Sequence, residues 1–381
     1  MNESSTRKLF SPVRIGPITI GQRVAMAPLT RSRAQQPADL PGDLMREYYS
    51  QRASEGGFIV SEGISISATA RGWFGAPGLY SDQQVEGWRK ITAAVRSKGA
   101  HIFSQLWHTG RSSHNEMTGG VQPVSASVNP SYWEDGSHLI STPRGWEKPS
   151  PHRALDITEI PNIIEDYWRA AQRAKSAGFE GVELHAGNGY LIDQFLQNGS
   201  NHRVDRYGGC IENRSRLLLE VVDALVSVWG ADRVAVRIAP SGTWNGMSDS
   251  DPQALFDHVA NQLNRYGLAY LHIIEPRMRG ATLAAESLEP IASERLRKIF
   301  SGTIIAAGGF EPDTAEAILE KGDADLVAFG RYFISNPDLP KRIKLGLPLN
   351  AYDHKTFCTF DARGYTDYPF YGEAATCQIP N

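Results

Sequence analysis

Apolar and β-branched residues gather into short runs along this chain, and helical patterns separate them. The runs occupy residues 23–29, 57–61, 101–107, 181–185, 233–240, 268–275, 303–308 and 324–330. Between them, residues 84–98, 161–177, 213–229, 252–266 and 312–321 carry apolar positions at helical spacing. In the second of these, Ile164, Tyr167, Trp168, Ala171 and Ala174 recur at steps of 3, 1, 3 and 3, one face of a 3.6-residue period. Asp251-Pro252 and Asn336-Pro337 each set a capping side chain before a proline, the arrangement that opens a helix. Gly178, Gly230 and Gly267 follow three helical stretches, where a left-handed residue ends a helix. Eight nearly continuous apolar strands alternating with helices predict an α/β fold, a closed parallel (β/α)8 TIM barrel. The rival is an open doubly wound sheet. That fold carries a glycine-rich turn after its first strand, and Met26-Ala27-Pro28-Leu29-Thr30 is not one.

Two additions sit on this plan. Residues 9–21 alternate apolar positions around Gly16-Pro17 and predict an N-terminal β-hairpin that plugs the barrel floor. Residues 110–157, 48 positions rich in Gly, Pro, Ser and Trp, follow the third strand. A loop of that length is functional or disordered. Tyr132, Trp133 and Trp146 within it predict an ordered capping insertion over the barrel mouth. Residues 1–381 thus read as a single barrel domain.

Composition narrows the function. A chain of 381 residues with 41% hydrophobic content can bury a large core. A net charge of −3 with scattered Lys and Arg argues against a nucleic-acid partner. No run of 18 apolar residues suggests a membrane span. The polar start Met1-Asn2-Glu3-Ser4-Ser5-Thr6 does not resemble a signal peptide, so a cytoplasmic protein is expected, as monomer or homodimer. Cys210, Cys358 and Cys377 are too widely spaced for a disulfide framework, a zinc site or an iron–sulfur cluster, and no metal is expected.

The barrel plan brings strand ends to one rim, so distant residues converge there. The stretch 181–190 ends a buried strand and places His185, Asn188 and Tyr190 within six positions. Two hydrogen-bond donors beside a phenolic acid suit a substrate oxygen held while a neighbouring atom is protonated. The first strand ends in Pro28-Leu29-Thr30, and the third delivers Gln105, Trp107 and His108. Arg237 lies within the fifth strand, either paired with a carboxylate inside the barrel or placed as a fixed cation beside a cofactor that gains negative charge. The seventh and eighth strands close with Gly308-Gly309 and Gly330-Arg331. Glycines let backbone N–H groups approach a phosphate there, and the arginine adds a charge-assisted contact. Together these groups suit a flat, phosphate-tailed heterocycle.

The motif from His185 through Ala186-Gly187-Asn188-Gly189-Tyr190 to Leu196, followed by Asp205-Arg206-Tyr207-Gly208-Gly209-Cys210-Ile211-Glu212-Asn213-Arg214, resembles the signature of the Old Yellow Enzyme family of FMN-dependent ene-reductases. Pro28-Leu29-Thr30-Arg31, Gln105-Leu106-Trp107-His108-Thr109-Gly110-Arg111, Ala328-Phe329-Gly330-Arg331 and Gly364-Tyr365-Thr366-Asp367-Tyr368-Pro369 match it in the same order. The resemblance covers about residues 8–370. It implies non-covalent FMN, with NADPH or NADH as electron donor and a small molecule as substrate. The expected reaction is reduction of the activated C=C bond of an α,β-unsaturated carbonyl or nitroalkene, with nitrate esters and nitroaromatics as further substrates. Carried over by match, Pro28, Leu29, Thr30, Gly63, Gln105 and Arg237 would hold the ring, and Gly308, Gly309, Gly330 and Arg331 the phosphate. His185 and Asn188 would bind the substrate oxygen, Tyr190 would donate the proton, and Trp73, Trp107 and Phe360 would line the substrate cavity. Other members carry histidine at the place of Asn188, and serine is usual at that of Cys210. The stretch Ile274-Glu275-Pro276-Arg277-Met278 is similar to the plant oxophytodienoate reductase branch. Two other readings compete: a flavin-free metal-dependent hydrolase drawing on Glu62, His108, His185 and Glu275, and a non-catalytic flavin-binding protein.

Overall fold

The computed structural model describes residues 7–276, 278, 279, 282, 283 and 291–373, so the readings placed on the polar start, Arg277 and Cys377 lie outside the described residues. Eight strands close into a parallel barrel: β1 (Val24–Met26), β2 (Phe58–Ser65), β3 (His101–Trp107), β4 (Val182–Ala186), β5 (Val234–Ile238), β6 (Tyr270–Ile274), β7 (Ile304–Ala307) and β8 (Leu326–Phe329). Each pairs with its sequence neighbour, and Phe329 of β8 lies beside Met26 of β1 to complete the circle. The helices α1 (Asp43–Arg52), α2 (Asp82–Arg96), α3 (Ile160–Ser176), α4 (Arg216–Trp229), α5 (Pro252–Asn264), α6 (Ser293–Arg297), α7 (Pro312–Lys321) and α8 (Leu339–Leu345) occupy the connections and the end of the plan.

Strand alternation divides the core in two. Ile102, Leu106, Val182, Leu184, Val236 and Ile273 face outward and pack with the helices. Phe103, Ala235 and Tyr270 face inward and form a separate cluster with Phe58, Val60, Ile305 and Leu326. The hairpin strands Val13–Ile15 and Ile18–Ile20 add Ile15, Ile18 and Ile20 to that inner cluster, so apolar side chains seal the floor. Its turn needs glycine: Gly16 has φ +53°, and a Cβ there would lie 1.8 Å from the Asp232 carbonyl oxygen. Above the floor the lumen turns polar, with Gln105, Glu183, Arg237 and His272 following along the same strands.

Local details depart from the sequence pattern in four places. β2 continues to Ser65 instead of stopping at 61, because Gly63 sits at a bulge in the β2–β3 pairing rather than at a break. α1 stands where no helical stretch was assigned, holding Met45, Tyr48 and Tyr49 inward beside a buried Arg52. In α3 the buried face is Ile160, Ile163, Tyr167, Ala170, Ala171 and Ala174, which leaves Trp168 and Ile164 at its half-buried margins. Asn336-Pro337 does not open a helix. Asn336 closes the turn Arg331–Ser335 by donating Nδ2–H to the Tyr332 carbonyl, and α8 starts only after Asp338. By contrast, Asp251 accepts from the Ala254 N–H and caps α5 with Pro252 in its first turn.

Candidate functional site

The carboxyl ends of β3, β4 and β5 bring the central side chains together. His185 pairs in register with Arg237, and Glu183 with Gln105. The Trp107 and Tyr190 rings meet edge to face at 4.8 Å, and His185 meets Tyr190 at 5.1 Å. Trp107, Tyr190 and Ala76 form a small apolar cluster, with Trp73 packed against it. Gly63 exists for this contact: a Cβ on it would stand 2.5 Å from the Trp107 ring.

The turn after β4 is bent by Asn188 and Gly189, at φ +57° and +72°. Asparagine tolerates that left-handed region better than most side chains. Three residues that sequence reasoning did not assign hold the turn. Asp193 accepts the Gly189 N–H at 2.8 Å, and Gln194 donates to the Gly189 carbonyl at 2.8 Å. Asn245, on the loop after β5, donates to the Asn188 carbonyl at 2.9 Å and itself adopts φ +57°. Asp193 and Gln194 stand inside the matched motif, so their sequence position was a usable signal. Asn245 had none, because it arrives from another strand.

Burial sets the charge states. Desolvation, with the fields of Arg237 and His272, holds the His185 imidazolium well below the usual histidine range, so the ring is neutral near pH 7. The Gly187 N–H faces His185 Nδ1 at 3.4 Å, which leaves the proton on Nε2 as the donor. Burial pushes the Tyr190 phenol above its ordinary value, opposed by the Asn245 side chain and Arg237. A neutral phenol is the form that can give up a proton. His108, buried, is pushed down to about 3.

Beyond this cluster, the other residues of the candidate set fall on the same rim. Gly330 faces the Leu29 side chain, where a Cβ would lie 3.2 Å away, so β8 and β1 end side by side. Gly308 and Gly309 have φ of 130° and 64°, conformations that glycine alone adopts freely. Arg331 is half-buried over the Tyr352 ring, and Pro28 is buried beside half-buried Leu29 and Thr30. Phe360 stands apart: it is 59% exposed and packs on Phe74, outside the Trp107–Tyr190 cluster.

A flat heterocycle with an anionic tail fits these residues. Arg237 Nε is buried with no hydrogen-bond partner among the described residues. Glu183, the carboxylate whose field reaches it, instead commits its two oxygens to Gln105 and His272. Glu183 therefore acts on Arg237 through its charge rather than through a hydrogen bond to Nε. The metal-site alternative fails as well. Glu275 accepts from the Ser293 N–H and hydroxyl, and Glu62 from the Arg31 N–H and the Tyr49 hydroxyl. Among the described residues, the group spaced for a metal is His114, Glu116 and Glu147, which none of the proposed ligands joins and which Arg144 already neutralises.

Comparison with known proteins decides the family. Residues 8–350 match the NADH:flavin oxidoreductase / NADH oxidase family. The chain belongs to that family, the Old Yellow Enzymes. It is 43% identical over 370 residues to 12-oxophytodienoate reductase 1 of Oryza sativa subsp. japonica, covering 96% of this chain and 93% of the relative. Morphinone reductase superposes with a TM-score of 0.88 at 44% identity, covering 97% of this chain and 98% of that one. A structure of morphinone reductase in complex with tetrahydroNAD gives 0.87 at 46% identity, covering 95% and 97%. The old yellow enzyme homologue from Zymomonas mobilis gives 0.88 at 41% identity, covering 95% and 99%. This Old Yellow Enzyme family member is thus a flavin oxidoreductase built on a TIM barrel. No helix among its described residues is long and apolar enough to cross a membrane.

Proposed function

We propose that this enzyme reduces the activated C=C bond of α,β-unsaturated carbonyls and nitroalkenes, using electrons from NADPH or NADH. FMN, when bound, supplies the hydride chemistry that links nicotinamide to alkene. Gln105, Arg237, Gly63 and Thr30 would hold its ring, with Pro28 and Leu29 beneath. The backbone of Gly308, Gly309 and Gly330, together with Arg331, would hold its phosphate. The reading rests on one observation: the buried His185 ring, whose Nδ1 accepts the Gly187 N–H, stands beside the Asn188 turn and the buried phenol of Tyr190.

The residues then divide the work. His185 Nε2–H and the Asn188 carboxamide bind the substrate carbonyl or nitro oxygen and draw electron density from the double bond. This polarisation opens the β-carbon to hydride. Tyr190 gives its hydroxyl proton to the α-carbon. Trp73 and Trp107 wall the cavity and exclude water from the phenol. Residues 110–157 cap it, with Trp146 edge-on to Trp73 at 5.3 Å and Tyr132 reaching Asn245.

Tyr190→Phe separates the two halves of the cycle. General acid catalysis is worth about 10²–10⁴-fold. Stopped-flow mixing should show alkene reduction slowed by that order, while flavin bleaching by NADPH proceeds at nearly the wild-type rate. Equal loss in both halves would remove Tyr190 from the role of acid. Nitrate esters, whose reduction protonates no carbon, should tolerate the change better.

A further inference from the structure

The barrel lumen beside Gln105 and below Arg237 holds a carboxylate that the reaction above does not use. Glu183 is fully buried on β4, two positions before His185. One oxygen accepts from Gln105 Nε2 at 2.7 Å, and the other faces His272 Nδ1 at 2.8 Å. His272 is equally buried, one strand beyond Arg237 in register. Burial alone would push the Glu183 carboxyl up, but His272, Arg237 and Gln105 outweigh it and keep the group ionised. Burial and Arg237 lower the His272 pKa and Glu183 raises it, and because the carboxylate can only accept, Nδ1–H of His272 donates to it. The Glu183 carboxylate thus lies in the field of the Arg237 guanidinium.

This arrangement has a chemical consequence above it. A carboxylate is an acceptor only, so the Gln105 amide must turn its NH2 towards Glu183 and leave Oε1 as the acceptor on offer. An isoalloxazine edge presents an N–H between two carbonyls, which needs one acceptor flanked by donors. Gln105 Oε1 and the unpartnered Nε of Arg237 meet that pattern. A negative charge below Arg237 also weakens the guanidinium's field on anything seated over it.

We propose that Glu183 is a positioning residue for the flavin: it orients Gln105 towards the ring's N–H and, by offsetting Arg237, lowers the reduction potential of the bound cofactor. The proposal rests on the flavin reading of the rim.

Glu183→Gln and Glu183→Asp, each purified with FMN, test it through the midpoint potential and the FMN dissociation constant. In E183Q the counter-charge is gone, so the potential should rise. A tenfold shift in the reduction equilibrium is about 30 mV for a two-electron couple. FMN should also bind roughly tenfold more weakly, since the Gln105 amide is no longer fixed. E183D keeps the charge with a shorter reach. Its potential should stay within about threefold of wild type in equilibrium terms, or about 15 mV, while FMN binding still weakens. An E183Q flavoprotein with the wild-type potential overturns the proposal, and so does an E183D whose potential moves as far as that of E183Q. If E183Q does not fold, E183D decides alone: weaker FMN binding at an unchanged potential supports the role, and no change in either overturns it. Wild-type protein that retains no flavin absorbance after gel filtration would refute the cofactor reading itself, a distinct result that takes this proposal with it.

Discussion

The role proposed for His185, a neutral donor, makes a pH prediction with a definite sign. Its folded pKa lies well below 6.5, so the donor form persists from mildly acidic pH upward. The kcat/KM for alkene reduction between pH 5.5 and 8.5 should therefore show no acid limb near the ordinary histidine pKa of about 6.5. A limb at that position, lost in His185→Asn, would mean that the imidazolium forms and that the burial described above is relieved by substrate. Asn245 offers a second test, because its side chain spans the Asn188 carbonyl and the Tyr190 phenol. Asn245→Ala should slow alkene reduction about tenfold while leaving NADPH oxidation in the first half-reaction unchanged in stopped flow. His185, Asn188 and Tyr190 stood out in the sequence because they are neighbours along the chain. Asn245 did not, since its meaning comes only from the convergence of two loops. Phe360 matches by position alone: its ring is 59% exposed and packs on Phe74 rather than in the Trp107–Tyr190 cluster.

Among the elements, the N-terminal hairpin is the clearest case of sequence pattern becoming core. Ile15 is fully buried with Phe58, Phe103 and Tyr270 at the closed end of the barrel. Ile15→Ala should cost about 2–5 kcal/mol, read as a lower urea midpoint with an unchanged slope. Asp251→Ala removes the α5 cap and should cost about 1 kcal/mol in the same experiment. The alternating hairpin and the eight apolar runs were readable because burial on one or both faces leaves a period in the sequence. Element ends were less readable. The second apolar run reads as ending at residue 61, yet β2 continues through Gly63 to Ser65, and glycine at 63 leaves space for the Trp107 ring of β3. α1 escaped notice because its inward face is built of tyrosines and carries an arginine, Arg52, held by the Phe333, Ile334 and Tyr365 carbonyls.

For the whole molecule, buried titratable groups set opposing pH dependences. His108 and His152 are pushed by burial down to about 3 and about 4. Unfolding lets them take up protons below about pH 6.5, so the stability they contribute is complete above that pH and is lost as pH falls towards their folded values. Glu62 and Asp193 are raised by burial to about 7. They favour the unfolded chain as pH rises from about 4 to 7, and act in the other direction. Removing one side of this balance should be visible. His152→Gln keeps an acceptor for the Asn129 N–H and cannot protonate. Its urea midpoints should fall less between pH 6.5 and 4 than those of wild type, by up to about 1.4 kcal/mol per pH unit. None of this could be read from the chain, because it depends on which polar residues the closed barrel encloses. One further tie shapes how the molecule can be re-engineered. The Gln194 carboxamide accepts from Ser125 of the long insertion and from the Arg111 N–H, and donates to the Thr109 and Gly189 carbonyls. A chimaera that imports the insertion from a cousin replaces Ser125 along with it. Unless the newcomer also offers a hydroxyl, the brace on the loop that carries Tyr190 loosens, so the insertion and the rim cannot be exchanged here as separate cartridges.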